Sequence, residues 1–155
     1  MAYETSIKDS KVAIRDKIKK LIEDSSELNS IKKVYKGTPN QIPRYPCVML
    51  DWERATTIQV NQGKTGIQRE CLMNIIVMEK YLNYDERQDR LLTLTGIIEK
   101  LIVTSRYLNG LRAEDDSWKV QDVKLVETRY EALVKPNTFV LDSSEIKIMI
   151  VMEGI

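Results

Sequence analysis

The chain of 155 residues has no histidine, two cysteines, one phenylalanine, four prolines and a net charge of only +1. Without histidine, neither a Ser-His-Asp triad nor a Cys-His dyad can be built. The usual zinc sites lose their nitrogen ligand, and two cysteines are too few for an all-thiolate site. Cys47 and Cys71 therefore read as buried free thiols, carried on the two strands of one hairpin and facing each other near its base. No apolar run approaches the roughly 20 residues a spanning helix needs. The longest, such as Ile75-Ile76-Val77-Met78, are strand-sized. The N-terminal stretch MAYETSIKDSKVAIRDK lacks the charged-then-apolar order of a signal peptide, which makes expression inside a cell, with no membrane partner, the expectation. Lysine clusters exist at Lys17, Lys19 and Lys20 and at Lys32, Lys33 and Lys36. They are short and sit beside acids, as solvated faces do, so tight binding to a nucleic-acid backbone is not expected.

What is present is an ordinary globular composition, 43% hydrophobic and 30% charged, long enough for one domain over residues 1–155 with a real core. Ile7, Ile14, Ile18, Leu21 and Ile22 recur on one face at helical spacing, which predicts a helix over 7–24, with Ser6 and Asp9 as its capping box. IKKVYKG is a short strand ending at Gly37, and TPNQIPRYP, with three of the four prolines, is a connection. CVMLDWERATTIQV (47–60) is apolar on both faces at first and polar later, and IQRECLMNIIVMEK (67–80) runs the other way. Two such strands make a long hairpin whose polar end, with its Gly-rich turn, projects from the core. A second helix follows over 83–105, capped by Asn83 and Glu86, buried through Leu91, Leu94, Ile98, Leu101 and Ile102, with Gly96 allowing close packing and Gly110 marking the break. The last third holds two more strands. WKVQDVKLVETRYEAL (118–133) slips in its alternation, which predicts a bulge, and FVLDSSEIKIMIVMEG follows. The fold class is thus α+β, with a mostly antiparallel or mixed sheet of four to five strands, a projecting hairpin, and two main helices packed on one face. The connection through the second helix can make its flanking strands parallel neighbours. Strand order is not readable.

The motif nearest to chemistry is NQGKTG (61–66), which resembles the end of a phosphate-binding P-loop. That motif requires a glycine five positions before Gly63, where Ile58 stands, and a helix opening after it, where a β-branched strand follows. The hexapeptide reads instead as a hairpin tip. Glu114, Asp115 and Asp116 form an acidic loop, and Asp51 and Glu53 share a strand face. Paired carboxylates can hold Mg²⁺, but no further carboxylate is tied to either pair by spacing. Trp52, Trp118 and Tyr130 read as core or interface aromatics, since no basic groove accompanies them. No catalytic, cofactor or metal site emerges.

The layout itself resembles the tail terminator (tail-completion) proteins of tailed bacteriophages. The similar parts are a helix of the VAIRDKIKKLIE kind, the Pro/Tyr lead-in IPRYPCVMLDW, the returning strand RECLMNIIVMEK, the helix RQDRLLTLTGIIEKLI, and the closing pair VQDVKLVETRYEALV and SEIKIMIVMEG. The resemblance implies a structural virion protein, assembled in the host cytoplasm, that forms a hexameric ring on the last ring of the tail tube. Such a ring stops tube polymerisation and joins the tube to the head–tail connector or neck, and genome DNA passes through its lumen without tight binding. A ring needs head-to-tail contacts, and the hairpin residues Thr56, Thr57, Gln59, Asn61, Gln62, Lys64, Thr65 and Gln68 are the candidates for inter-subunit or tube contact. Another neck, connector or baseplate adaptor protein is the alternative, and a small Mg²⁺-dependent enzyme using Glu114, Asp115 and Asp116 is a more remote one.

Overall fold

A computed structural model of the protein describes residues 2–37, 44–60, 67–81, 84–105, 108–135 and 139–154. Helix α1 (Ala2–Asp24) leads through a single 3-10 turn (Ser26–Leu28) to β1 (Lys33–Lys36), β2 (Cys47–Val60) and β3 (Ile67–Tyr81). Helix α2 (Tyr84–Thr104), β4 (Trp118–Lys135) and β5 (Phe139–Gly154) complete the order. The five strands form one open sheet in the order β1-β2-β3-β5-β4. β1 runs parallel to β2, and every other neighbouring pair is antiparallel. The expected sequence of elements and the α+β class are therefore observed.

Alternation sorts the strand residues onto two faces. Val48 and Leu50 of β2, Cys71, Met73, Ile75 and Val77 of β3, and Ile146, Ile148 and Ile150 of β5 point to one side and are fully buried. Ile14, Ile18 and Ile22 of α1 and Leu91, Leu94, Ile98 and Ile102 of α2 meet them in the same core. The i, i+4 and i, i+3 spacing of these residues puts each set on one stripe of its helix. The two helices thus share a face, as the patterning predicts. α2 lies over β3, β5 and β4, and α1 lies against β1. Trp52 ties α1 to β2 by donating its indole N–H to the Lys11 carbonyl at 3.3 Å. A loop closes the core at one end. There the left-handed Asn109 and Gly110 (φ 57° and 74°) turn the chain and let Leu108 be fully buried.

Several expectations are corrected. α1 begins at Ala2, so Ser6 lies inside the helix and is no N-cap; the capping residue Asn83 lies outside the described residues. Gly96 is exposed, and a Cβ there would meet nothing within 4 Å, so it makes no close packing. β3 and β4 do run parallel, but β5 lies between them, giving a split crossover rather than adjacent strands. The bulge expected in β4 is present, and there are two register shifts, at Val120/Asp122 and at Leu125/Glu127. Cys47 and Cys71 are both buried free thiols, but Cys47 pairs with Met78, seven positions along β3 from Cys71, and the two point to opposite faces. The hairpin of β2 and β3 is as long as expected. Its described part is not a free arm, because β3 pairs with β5 from Ile67 through Tyr81.

Candidate assembly surface

Among the described residues no group of three or more His, Cys, Asp and Glu side chains could hold a metal ion. The acidic loop builds a turn instead. The Ser117 side chain and, at 3.0 Å, its backbone N–H both hydrogen-bond to Asp115 and hold its carboxyl below the usual range, and Asp116 pairs with Arg112 at 3.5 Å. The phosphate-loop reading fails in three dimensions too. Ile58 sits in β2 opposite Arg69, and the chain resumes at Ile67 as a strand, where a phosphate loop would open a helix.

The sheet face away from the helices carries an organised set of side chains. Leu72, Ile76, Met78 and Met149 are half-buried there, and Met49 and Val151 are buried. Polar rows cross this apolar ground. In the first, Lys147 of β5 reaches Glu53 of β2 at 2.9 Å and Glu127 of β4 at 3.8 Å. Asn74 of β3 donates to Glu53 at 3.5 Å, and Arg129 closes on Glu127 at 3.0 Å. The hydrogen bond from Lys147 lowers the Glu53 pKa, and Glu53 in turn raises that of Lys147. In the second row Gln68 of β3 donates to Gln121 of β4 at 2.6 Å, and Gln121 donates to Glu153 of β5 at 2.5 Å. Lys119 lies 3.5 Å from the same carboxylate. These rows lace four strands together without a covering helix.

Sequence reasoning marked eight hairpin residues, and the structure brings few of them into view. Thr56, Thr57 and Gln59 lie in β2 opposite Cys71, Glu70 and Gln68. Gln68 is engaged within the subunit, in the second polar row. Asn61, Gln62, Lys64 and Thr65 lie outside the described residues. What that reasoning missed is the outer edge of β4. This strand of 18 residues borders the sheet, with Leu125, Val126 and Tyr130 exposed by 37%, 48% and 52%. The signal in KLVETRY is slight: Leu125 and Tyr130 pair with the buried Ile148 and Ser144 on the helix face, as alternation expects, and only Val126, at the register shift, breaks the pattern. Tyr130 pairs with the buried Ser144, which puts it on the helix side; there burial, then the charge of Glu99 on α2, raises its pKa. Among the described residues two acids are strongly buried outside these rows, Glu79 and its cross-strand partner Asp142. Arg90 of α2 meets Glu79 at 3.1 Å. Burial raises the Glu79 pKa, against the opposing pull of the Lys80 N–H and of Arg90. Through Arg90 this pair is tied to α2.

No family model matches the sequence, and no curated protein is similar to it. Solved structures do match. The fold is shared with a chain of a native gene transfer agent virion. The superposition has a TM-score of 0.62 at 11% identity, covering 92% of this chain and 96% of that one. At this identity the likeness concerns the fold, over almost the whole of both chains.

Proposed function

We propose that this chain is a structural virion protein, a tail terminator. It forms a ring, hexameric by resemblance, that caps the tail tube, stops its polymerisation and joins it to the neck. The observation that carries the reading is end-to-end fold likeness to a chain of a phage-like particle, which agrees with the resemblance in element order. The nature of the conspicuous surfaces supports it. They are sheet edges and a laced sheet face, suited to partner proteins rather than to a small substrate. The whole chain acts as a single domain in this reading, without catalysis or cofactor. Its partners are further copies of itself, the tail tube protein and the head–tail connector. Genome DNA slides through the lumen, and a net charge of +1 suits passage rather than grip. The hairpin end, Thr56 to Gln68, supplies contacts to the tube or to a neighbouring subunit.

The test is assembly in the protein's absence. Electron microscopy of particles lacking it should show over-long tails without heads. Tails of normal length lacking heads or a baseplate would assign the chain to another neck, connector or baseplate role. In solution or on purified tubes the protein should sediment as a ring. A monomer that ignores tubes at high concentration would sink the proposal.

A further inference from the structure

We infer that neighbouring subunits join by sheet addition, the outer edge of β4 of one copy pairing antiparallel with β1 of the next. This inference rests on the ring reading for the identity of the partner. Among the described residues neither edge of the sheet has a further partner strand along its whole length, and the two edges differ. The β4 edge is stepped: residues 111–113 cover its first three residues, with Ala113 N–H donating to the Trp118 carbonyl at 2.9 Å and Val120 N–H to that of Leu111 at 3.0 Å. From Gln121 onward no described strand lies outside it. The opposite edge is stepped the other way. β1 covers Cys47–Leu50 of β2, and no described strand lies beside Asp51–Val60 on that side.

The two steps are complementary. Following the register across the sheet, Trp118–Val120 lie level with 58–60 of β2, and Lys33–Lys36 of β1 lie level with Thr128–Glu131 of β4. Set a second copy beside the first at the same height. Its β1 then falls against the open part of β4, and residues 111–113 fall into the notch above β1. One column of the continued sheet is shared between the two copies. Strand direction agrees as well. β1 and β2 run opposite to β4, so copies related by rotation about an axis along the strands meet antiparallel, the pairing with the better hydrogen bonds. Such a contact is heterologous, as a ring requires.

The side chains at this height match in kind. Glu131 comes opposite Lys33, and Arg129 opposite Tyr35, on the face without helices; Tyr130 comes opposite Val34 on the helix face. Opposite charges, a cation over an aromatic ring and an apolar pair are the favourable cross-strand combinations. Glu131, Arg129, Tyr130 and Lys33 are all exposed in the single subunit, so each has contact to gain.

A cysteine pair tests this directly. Glu131→Cys and Lys33→Cys are placed together in one chain and the protein is oxidised. The background is low, since Cys47 and Cys71 are buried. The expected result is a disulfide ladder ending at the closed ring, seen on non-reducing gels, with neither single variant giving a ladder. Charge reversal gives a second arm: Glu131→Lys or Lys33→Glu alone should weaken each contact by about three- to tenfold, and both together should restore it. Rings that form by mass while the double-cysteine chain fails to cross-link would overturn the edge contact and leave the ring reading standing. A covalent dimer from Glu131→Cys alone would mean β4 pairs with β4 about a two-fold axis, also overturning it. Failure of the parent chain itself to assemble, free or on tubes, would remove both.

Discussion

Single residues show where local preference and tertiary demand part. Gly96 stands mid-helix in α2, exposed, with open space where a Cβ would sit. Glycine there adds backbone freedom to the unfolded chain and contributes no packing. Gly96→Ala should therefore raise stability by about 1 kcal/mol, a rise in Tm of about 2–4 °C for a chain of this size. An unchanged Tm would mean that the helix surface at Gly96 is not as open as described. Glu79 shows the opposite case, a charge kept where burial opposes it. Its folded pKa lies above the ordinary value, so the folded state holds the proton more tightly than the unfolded one. This contribution is fully present at pH below the ordinary carboxylate range. It declines as pH rises through that range and levels off above the raised value. In Glu79→Gln that dependence disappears. Relative to the parent, the variant should be more favoured at pH 7 than at pH 4, whatever the constant cost of losing the contact with Arg90. Urea midpoints at the two values read the difference, and a gap of the opposite sign would refute the burial argument.

At the scale of elements, α2 is pinned to the sheet by more than its apolar stripe. Thr95 donates its hydroxyl proton to the Leu91 carbonyl at 2.7 Å, so in its 2.7 Å contact with Ser144 of β5 the serine is the donor. Both residues are fully buried. Thr95→Val should cost about 1–3 kcal/mol, because it strands the serine hydroxyl away from water, and Ser144→Ala about 1 kcal/mol. Combining them should cost clearly less than the sum, and additive losses in denaturant unfolding would mean the two hydroxyls act separately. The elements themselves were legible because their patterns are strong. β5 alternates Ile146, Ile148, Ile150 and Met152, and α2 repeats leucine and isoleucine every three or four residues. Their order in the sheet was not legible. Nothing local tells β5 to insert between β3 and β4, or β1 to run parallel to β2; those choices follow from how helices and strands jointly cover the core. The start of α1 was missed because Ala2–Ser6 carries no apolar stripe of its own. The misjudged Cys47–Cys71 pairing came from reading two strands without a register. The long β4 edge was hidden for a related reason: a strand's place at a border is a property of the whole sheet.

For the whole molecule, the hexapeptide NQGKTG separates folding from assembly. Val60 and Ile67 are direct cross-strand partners, and β3 is held on its other side by β5, so the ladder does not depend on the six residues between them. Two residues suffice to connect such a pair, and Asn-Gly has the backbone preference for it. Replacing Asn61–Gly66 by Asn-Gly should leave unfolding free energy within about 1 kcal/mol of the parent, since loop closure changes slowly with length. If the tip meets the tube or a neighbouring subunit, the shortened chain should fold normally and fail to cap. Tails made with it should then run over-long, as in particles lacking the protein. Lys64→Ala should meanwhile remove no ATPase activity, because Ile58 and the strand at Ile67 leave no cradle for a phosphate. A shortened chain that caps tubes as well as the parent would move the contact away from the hairpin end and leave the β4 edge as the surface that builds the ring.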